Sequence, residues 1–202
     1  LAAPFFAAYM LYDLKLSYIE YTIVIAAAVL AKYFSMPIWG RAVDRFGTKK
    51  ILTLSGFLMP AVSVLWLFDK SLLYLVVIQI YSGFVWAGFE IESLNFFFDS
   101  IIPQRRAKYI AYFNVLNGIA LFMGAILGGL IVRYNNVFWS KYFLVFLLSS
   151  VFRYLTSIVF IPKIKEVRSV DRITYPRLLM NIVTDTTTRG LIYDLIMIRK
   201  KR

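Results

Sequence analysis

Four ionisable side chains, Lys32, Glu90, Glu92 and Arg153, stand inside long apolar runs of this 202-residue sequence. Cysteine and histidine are both absent, which excludes disulfides, Cys/His metal sites, thiolate or imidazole nucleophiles and a histidine proton switch. Carboxylate, amine, amide and aromatic chemistry remains. No G-x-x-x-x-G-K-[ST] phosphate loop, Gly-x-Ser-x-Gly elbow or paired-aspartate cluster occurs, so the chain does not read as an enzyme, and no cofactor is expected. An ionised group in a lipid-embedded helix costs at least about 2.5 kcal/mol, so each of the four needs a charged partner, a wet cavity or a function.

The elements that carry these groups follow from composition. At 60% hydrophobic, 18% aromatic and 17% charged residues, the chain is too apolar to cover a soluble globule with polar surface, and the lipid bilayer is its expected surroundings. Stretches 18–39, 51–68, 71–97, 109–132 and 137–161 are long and apolar enough to span it as helices. Residues 1–12 would reach only about 18 Å as a helix, short of the roughly 30 Å core, so they read as the truncated first of six spans. The resulting organisation is an all-α polytopic membrane bundle over residues 1–162. A basic tail follows over 163–202, with short surface helices expected between 177 and 198. Lysine and arginine in the short connections divide seven to four between the two sides. The richer side receives Arg41, Arg45, Lys49, Lys50, Arg105, Arg106 and Lys108, together with the tail; it is therefore expected to be cytoplasmic, in a cell-membrane protein. The net charge of +12 is explained by this topology, and nucleic acid is not an expected partner.

Helix geometry then relates the charges to one another. Lys32 lies eight residues before Gly40 and Glu90 nine before Asp99, each about 12–14 Å from the same membrane face, so a pair between the second and fourth spans is possible. Glu92 is rotated about 200° from Glu90 and points elsewhere. It is expected to be neutralised by Arg153 on the sixth span, whereas Glu90 is the candidate cavity carboxylate for cation or proton coupling. Glu90 shares a face with Gly83 and Ala87, a small-residue stripe suited to close helix contact. Similar stripes are Ala27, Ala31 and Ser35 in the second span and Ala120, Gly124 and Gly128 in the fifth. Asn114 and Asn117 precede those glycines, as candidates for bonding a polar solute or a neighbouring helix. Phe5, Phe6, Tyr9, Trp86 and Tyr112 are candidates for cavity lining or for lipid contact. Glu20, near the outer end of its span, reads as solvated.

Between the second and third spans runs GRAVDRFGTKK, residues 40–50. Glycine at 40 permits close backbone approach and at 47 a left-handed turn. Asp44 is an anion placed to cap a helix N-terminus, and Arg45 offers a planar fork for a carboxylate, with Asp99 the nearest in topology. The spacing of Gly40, Asp44, Arg45, Gly47, Lys49 and Leu52 resembles the G-x-L-x-D-R-F-G-R-K-x-x-L loop of the major facilitator superfamily, with Ala42 and Thr48 departing from it. The resemblance extends over residues 1–162. It implies a twelve-helix fold of two six-helix halves, of which this chain is one, expected to be the C-terminal half because its start is cut and its end tapers into a basic tail. It further implies a latch in which Asp44 meets a helix end of the other half and Arg45 meets Asp99. Secondary active transport of a small solute by alternating access, coupled to a proton or other ion gradient, is the implied activity. The expected partners are then the missing N-terminal half, the solute and the bilayer. A transporter-like sensor or scaffold that moves no solute is the alternative.

Overall fold

The computed structural model describes residues 2–135, 140–164, 166, 174–176, 178–180 and 182, with Asp99 described by its backbone alone. The described residues are helical throughout their regular structure. A short helix α1 (Ala3–Ala8) passes into one π-helical turn, Tyr9–Asp13. Then follow α2 (Tyr18–Phe46), α3 (Thr48–Leu65), α4 (Leu72–Ser100), α5 (Arg106–Tyr134) and α6 (Phe143–Phe160). Five of these, α2 to α6, are long and apolar enough to cross a membrane, which matches the five full spans expected from hydropathy.

Local chemistry explains where the helices start and stop. The Ser17 hydroxyl accepts from the Glu20 N–H at 3.3 Å while Glu20 Oε2 accepts from the Ser17 N–H at 2.8 Å, a reciprocal capping box that opens α2. Glu20 is half-buried at the start of its span and also caps. The break between α2 and α3 is one residue long. Gly47 has φ 88° and ψ 157°, a conformation essentially reserved for glycine, and its N–H closes the helix onto the Val43 carbonyl at 2.8 Å. At the end of α4 the guanidinium of Arg106 reaches back, Nη2 donating to Phe98 O at 2.7 Å and Nε to Ile101 O at 3.1 Å. These carbonyls lie at the end of the helix, where a cation is favoured.

The segment 40–50 departs from the expected loop. Residues 40–46 continue α2, because their polarity is itself helical in period. Ala42, Val43 and Phe46 are buried whereas Arg41, Asp44 and Arg45 are exposed. Charge density alone had suggested a break after residue 39; the apolar face carries the helix two turns further.

Helix α4 is the central element, packed against α2 and α3, while α6 packs on α3. Two devices permit close approach. Gly83 of α4 lies so near α2 that an added Cβ would come within 2.2 Å of Ala28 O and 2.9 Å of Lys32 N. On the other side, Pro60 inside α3 has no N–H to give to the carbonyl four residues earlier. That carbonyl, Gly56 O, accepts instead from Ser157 Oγ of α6 at 2.9 Å. Ser150 Oγ likewise donates to Pro60 O at 2.9 Å. The Ser157 hydroxyl thus satisfies the carbonyl that proline frees in the neighbouring helix, as a lipid environment demands, and Ser150 adds a second bond between the same two helices.

An aromatic cluster closes the end of the bundle opposite residues 40–50. Tyr9, Trp66, Phe143 and Phe146 are buried there, with Phe6 stacked on Phe146 at a centroid distance of 4.5 Å. Ser140 Oγ donates to Asp13 Oδ2 at 2.6 Å, tying the end of the π-helical turn to the entry of α6. Phe6 and Tyr9 are therefore packing residues, whereas Tyr112 is exposed on α5. Helix α5 is mostly exposed and has few neighbours within the chain; Gly128, its one buried residue, faces the ring of Phe5.

Candidate functional site at the α2–α4 crossing and residues 40–50

The crossing is built from small residues upward. Ala28 and Lys32 of α2 bracket Gly83, and one turn further along, Gly88 makes room for the indole of Trp39, whose ring atoms would lie 2.8 Å from an added Cβ. Trp39 is fully buried, and its Nε1–H donates to Phe84 O of α4 at 2.8 Å. Two close contacts about 11 residues apart on α2 thus set both the spacing and the rotation of the pair.

On this frame Lys32 Nζ meets Glu90 Oε2 at 2.5 Å. The pair is the one expected from depth along the two helices. Its side chains are 29% and 41% exposed, so the pair is not sealed within this bundle. Charges held at this depth in an apolar helix pair are costly to separate in lipid. In a wet cavity they become exchangeable, since water or another ion can replace either partner.

The other two intramembrane charges are Glu92 and Arg153. Glu92 is fully buried, while the guanidinium of Arg153 lies 5.6 Å from the ring centroid of Trp86. Arg153 is thus set against the indole face of Trp86. Arg153 also lines a crevice of about 260 Å³ with Gly56, Met59, Phe89, Phe152 and Ser157. Asn114 and Asn117 are exposed on α5 and do not join the crossing.

Residues 40–50 lie at the end of the same two helices. Asp44 and Arg45 are exposed on the charged face of α2, Gly40 sits in open space, and Gly47 makes the turn. The side chain of Asp99, and with it the proposed contact to Arg45, lies outside the described residues. Sequence reasoning did not foresee that the first turn of α3 would be capped from the tail, with the Lys49 N–H donating to Glu166 Oε2 at 2.9 Å. Arg106 was likewise read only as a topological charge, although its position as the first residue of α5 places it to bond the carbonyls left by α4.

The model of the Major Facilitator Superfamily matches residues 1–191. The chain belongs to that superfamily. Among curated proteins it is similar to the efflux pump azaK of Aspergillus niger, 30% identical over 100 residues, which are 50% of this chain and 21% of the relative. It is also similar to the multidrug export protein EmrB of Haemophilus influenzae, 29% identical over 133 residues, 66% of this chain and 26% of the relative. A transporter of the same type from Aspergillus terreus is 27% identical over 121 residues, 60% of this chain and 22% of the relative. The matched region is thus about a quarter or less of each relative. No solved structure matches the chain. As a superfamily member with five long apolar helices, the protein is a multi-pass membrane protein.

Proposed function

We propose that this chain supplies one six-helix half of a secondary active transporter that moves a small solute by alternating access, and that the Lys32–Glu90 pair is its coupling element. The observation that carries the reading is the ion pair itself: an amine and a carboxylate in contact at 2.5 Å, well inside an apolar helix pair and not sealed within this bundle. Protonation of Glu90, or a cation bound in place of Lys32, would break the pair and change the charge that the opposite half meets across the cavity. The names of the relatives, an efflux pump and a multidrug export protein, favour export as the direction. The excess of lysine and arginine beside residues 40–50 and in the tail supports a cytoplasmic position for both in the cell membrane. Residues 40–50 would then be the latch that releases when the cytoplasmic side opens.

Reconstituted full-length protein tests this directly, with solute flux measured with and without an imposed proton gradient. Glu90→Gln is expected to abolish gradient-driven accumulation while leaving solute exchange at equal concentrations. Accumulation that survives Glu90→Gln would reduce the pair to a structural contact. Absence of any solute flux in the unaltered protein would favour a sensor or scaffold instead.

A further inference from the structure

The last two turns of α2 have a charged face and an apolar face, and the apolar one is covered by part of the chain beyond the sixth span. Leu178 and Ile182 are 0% and 3% exposed. They belong to one buried cluster with Trp39, Ala42, Val43 and Phe46 of α2, Ile51 of α3 and Ala87 of α4. A second contact, twelve residues before Leu178, is polar, with Glu166 Oε2 accepting from the Lys49 N–H at 2.9 Å. That amide belongs to the first turn of α3, where N–H groups have no partner within the helix and the helix dipole favours an anion. The two contacts are chemically independent, one an apolar cluster that spans the Gly47 turn and the other a hydrogen bond to a carboxylate at the start of α3.

The geometry points to an intrachain strap: the segment bearing Glu166, Leu178 and Ile182 docks reversibly under residues 40–50 and holds Asp44 and Arg45 in register on the outward face. Among the described residues, Leu178, Ile182 and Glu166 join it to the bundle, in a region that is otherwise strongly basic, with ten Lys or Arg against four Asp or Glu over residues 163–202. Contacts of a peripheral segment open locally at far lower cost than the bundle unfolds. Strap release therefore frees the end of α2 to fray without loss of the transmembrane fold, which makes the tail a control on whatever residues 40–50 engage. The inference requires only that the strap orders residues 40–50. It stands or falls separately from the assignment of the Lys32–Glu90 pair to coupling.

Hydrogen exchange on the full-length protein in lipid nanodiscs provides the test. Leu178→Asp combined with Ile182→Asp places charges in the apolar cluster and is expected to expel the strap. Amides of residues 41–50 should then exchange at least tenfold faster, with residues 24–36 of α2 and the middle of α4 unchanged. Glu166→Gln, which removes the anion but leaves the apolar anchors, should accelerate only residues 48–50, by about threefold. A synthetic peptide of residues 164–183 added to the double variant should restore slow exchange over 41–50. Unchanged exchange at 41–50 in the double variant overturns the strap, and so does acceleration spread evenly over α2, α3 and α4. Should the double variant fail to fold, Glu166→Gln decides: unaltered exchange at 48–50 refutes the proposal.

Discussion

Replacing Gly83 by alanine should open the α2–α4 crossing, and the size of the effect can be worked from the distances. The new Cβ would stand 2.2 Å from Ala28 O, 3.0 Å from Ala28 C and 2.9 Å from Lys32 N, against an ordinary non-bonded separation of roughly 3.5 Å. All three obstacles are backbone, so no rotamer change relieves them and the helices must part by roughly 1 Å or more. Overpacking of this kind costs about 1–3 kcal/mol, and rigid neighbours place it at the upper end. The helix preference of alanine over glycine returns about 1 kcal/mol. The net loss of about 2 kcal/mol corresponds to a Tm lower by about 4–8 °C for a chain of this size. Gly118→Ala is the control. Nothing lies within 4 Å of its Cβ, so only the preference term of about 1 kcal/mol applies and Tm should rise by about 2–4 °C. Thermal unfolding of both variants in one detergent reads the contrast in sign. Because Lys32 flanks the clash, the coupling energy between Lys32 and Glu90 in a double-mutant cycle should also fall in the Gly83→Ala background. A Tm for Gly83→Ala at or above that of the parent would refute the close crossing.

Three further outcomes follow from single contacts. Gly47→Ala forces a side chain into φ 88° and ψ 157°, at a cost of about 1–3 kcal/mol; faster proteolysis between residues 40 and 50 and a lower Tm should report it. Ser157→Ala strips the Gly56 carbonyl of its donor beside Pro60 and should cost about 1–3 kcal/mol, whereas Thr at 157, which keeps a hydroxyl, should retain most of the stability in the same melt. The third concerns pH in the connection between α3 and α4, where hydrogen bonds from the Ser71 hydroxyl and from the Ser71 and Lys70 amides hold the Asp69 carboxyl below its ordinary range. A depressed folded-state pKa means that this contribution is present above about pH 4 and is lost as pH falls through the folded value. Exchange of the Lys70 and Ser71 amides should therefore accelerate in acid beyond the intrinsic rate, and Asp69→Asn should remove that excess.

A Lys32–Glu90 pair, a contact that the helices do make, was legible as a possibility because both residues could be placed by counting back to the same membrane face along straight helices. Depth alone does not specify rotation, and it gave no sign that the guanidinium of Arg153 would lie over the ring of Trp86. The extension of α2 to Phe46 was present in the alternation of Ala42, Val43 and Phe46 with Arg41, Asp44 and Arg45, yet a cluster of charges beside glycine masked it. Glu166 as a cap on α3 had no local signal that distinguished it from the other acids of the tail.

Composition and period determined that the chain is helical and lies in a membrane, because transfer into lipid is a property summed residue by residue along each span. Spacing within residues 40–50 likewise carried the family, since a one-residue turn between two long helices requires glycine at that point. Which charges meet, and which face of α2 the tail covers, were decided only by the tertiary structure. Those outcomes depend on how closely α2 and α4 cross at Gly83 and how far each helix is rotated about its axis, and both are set by contacts between residues tens of positions apart.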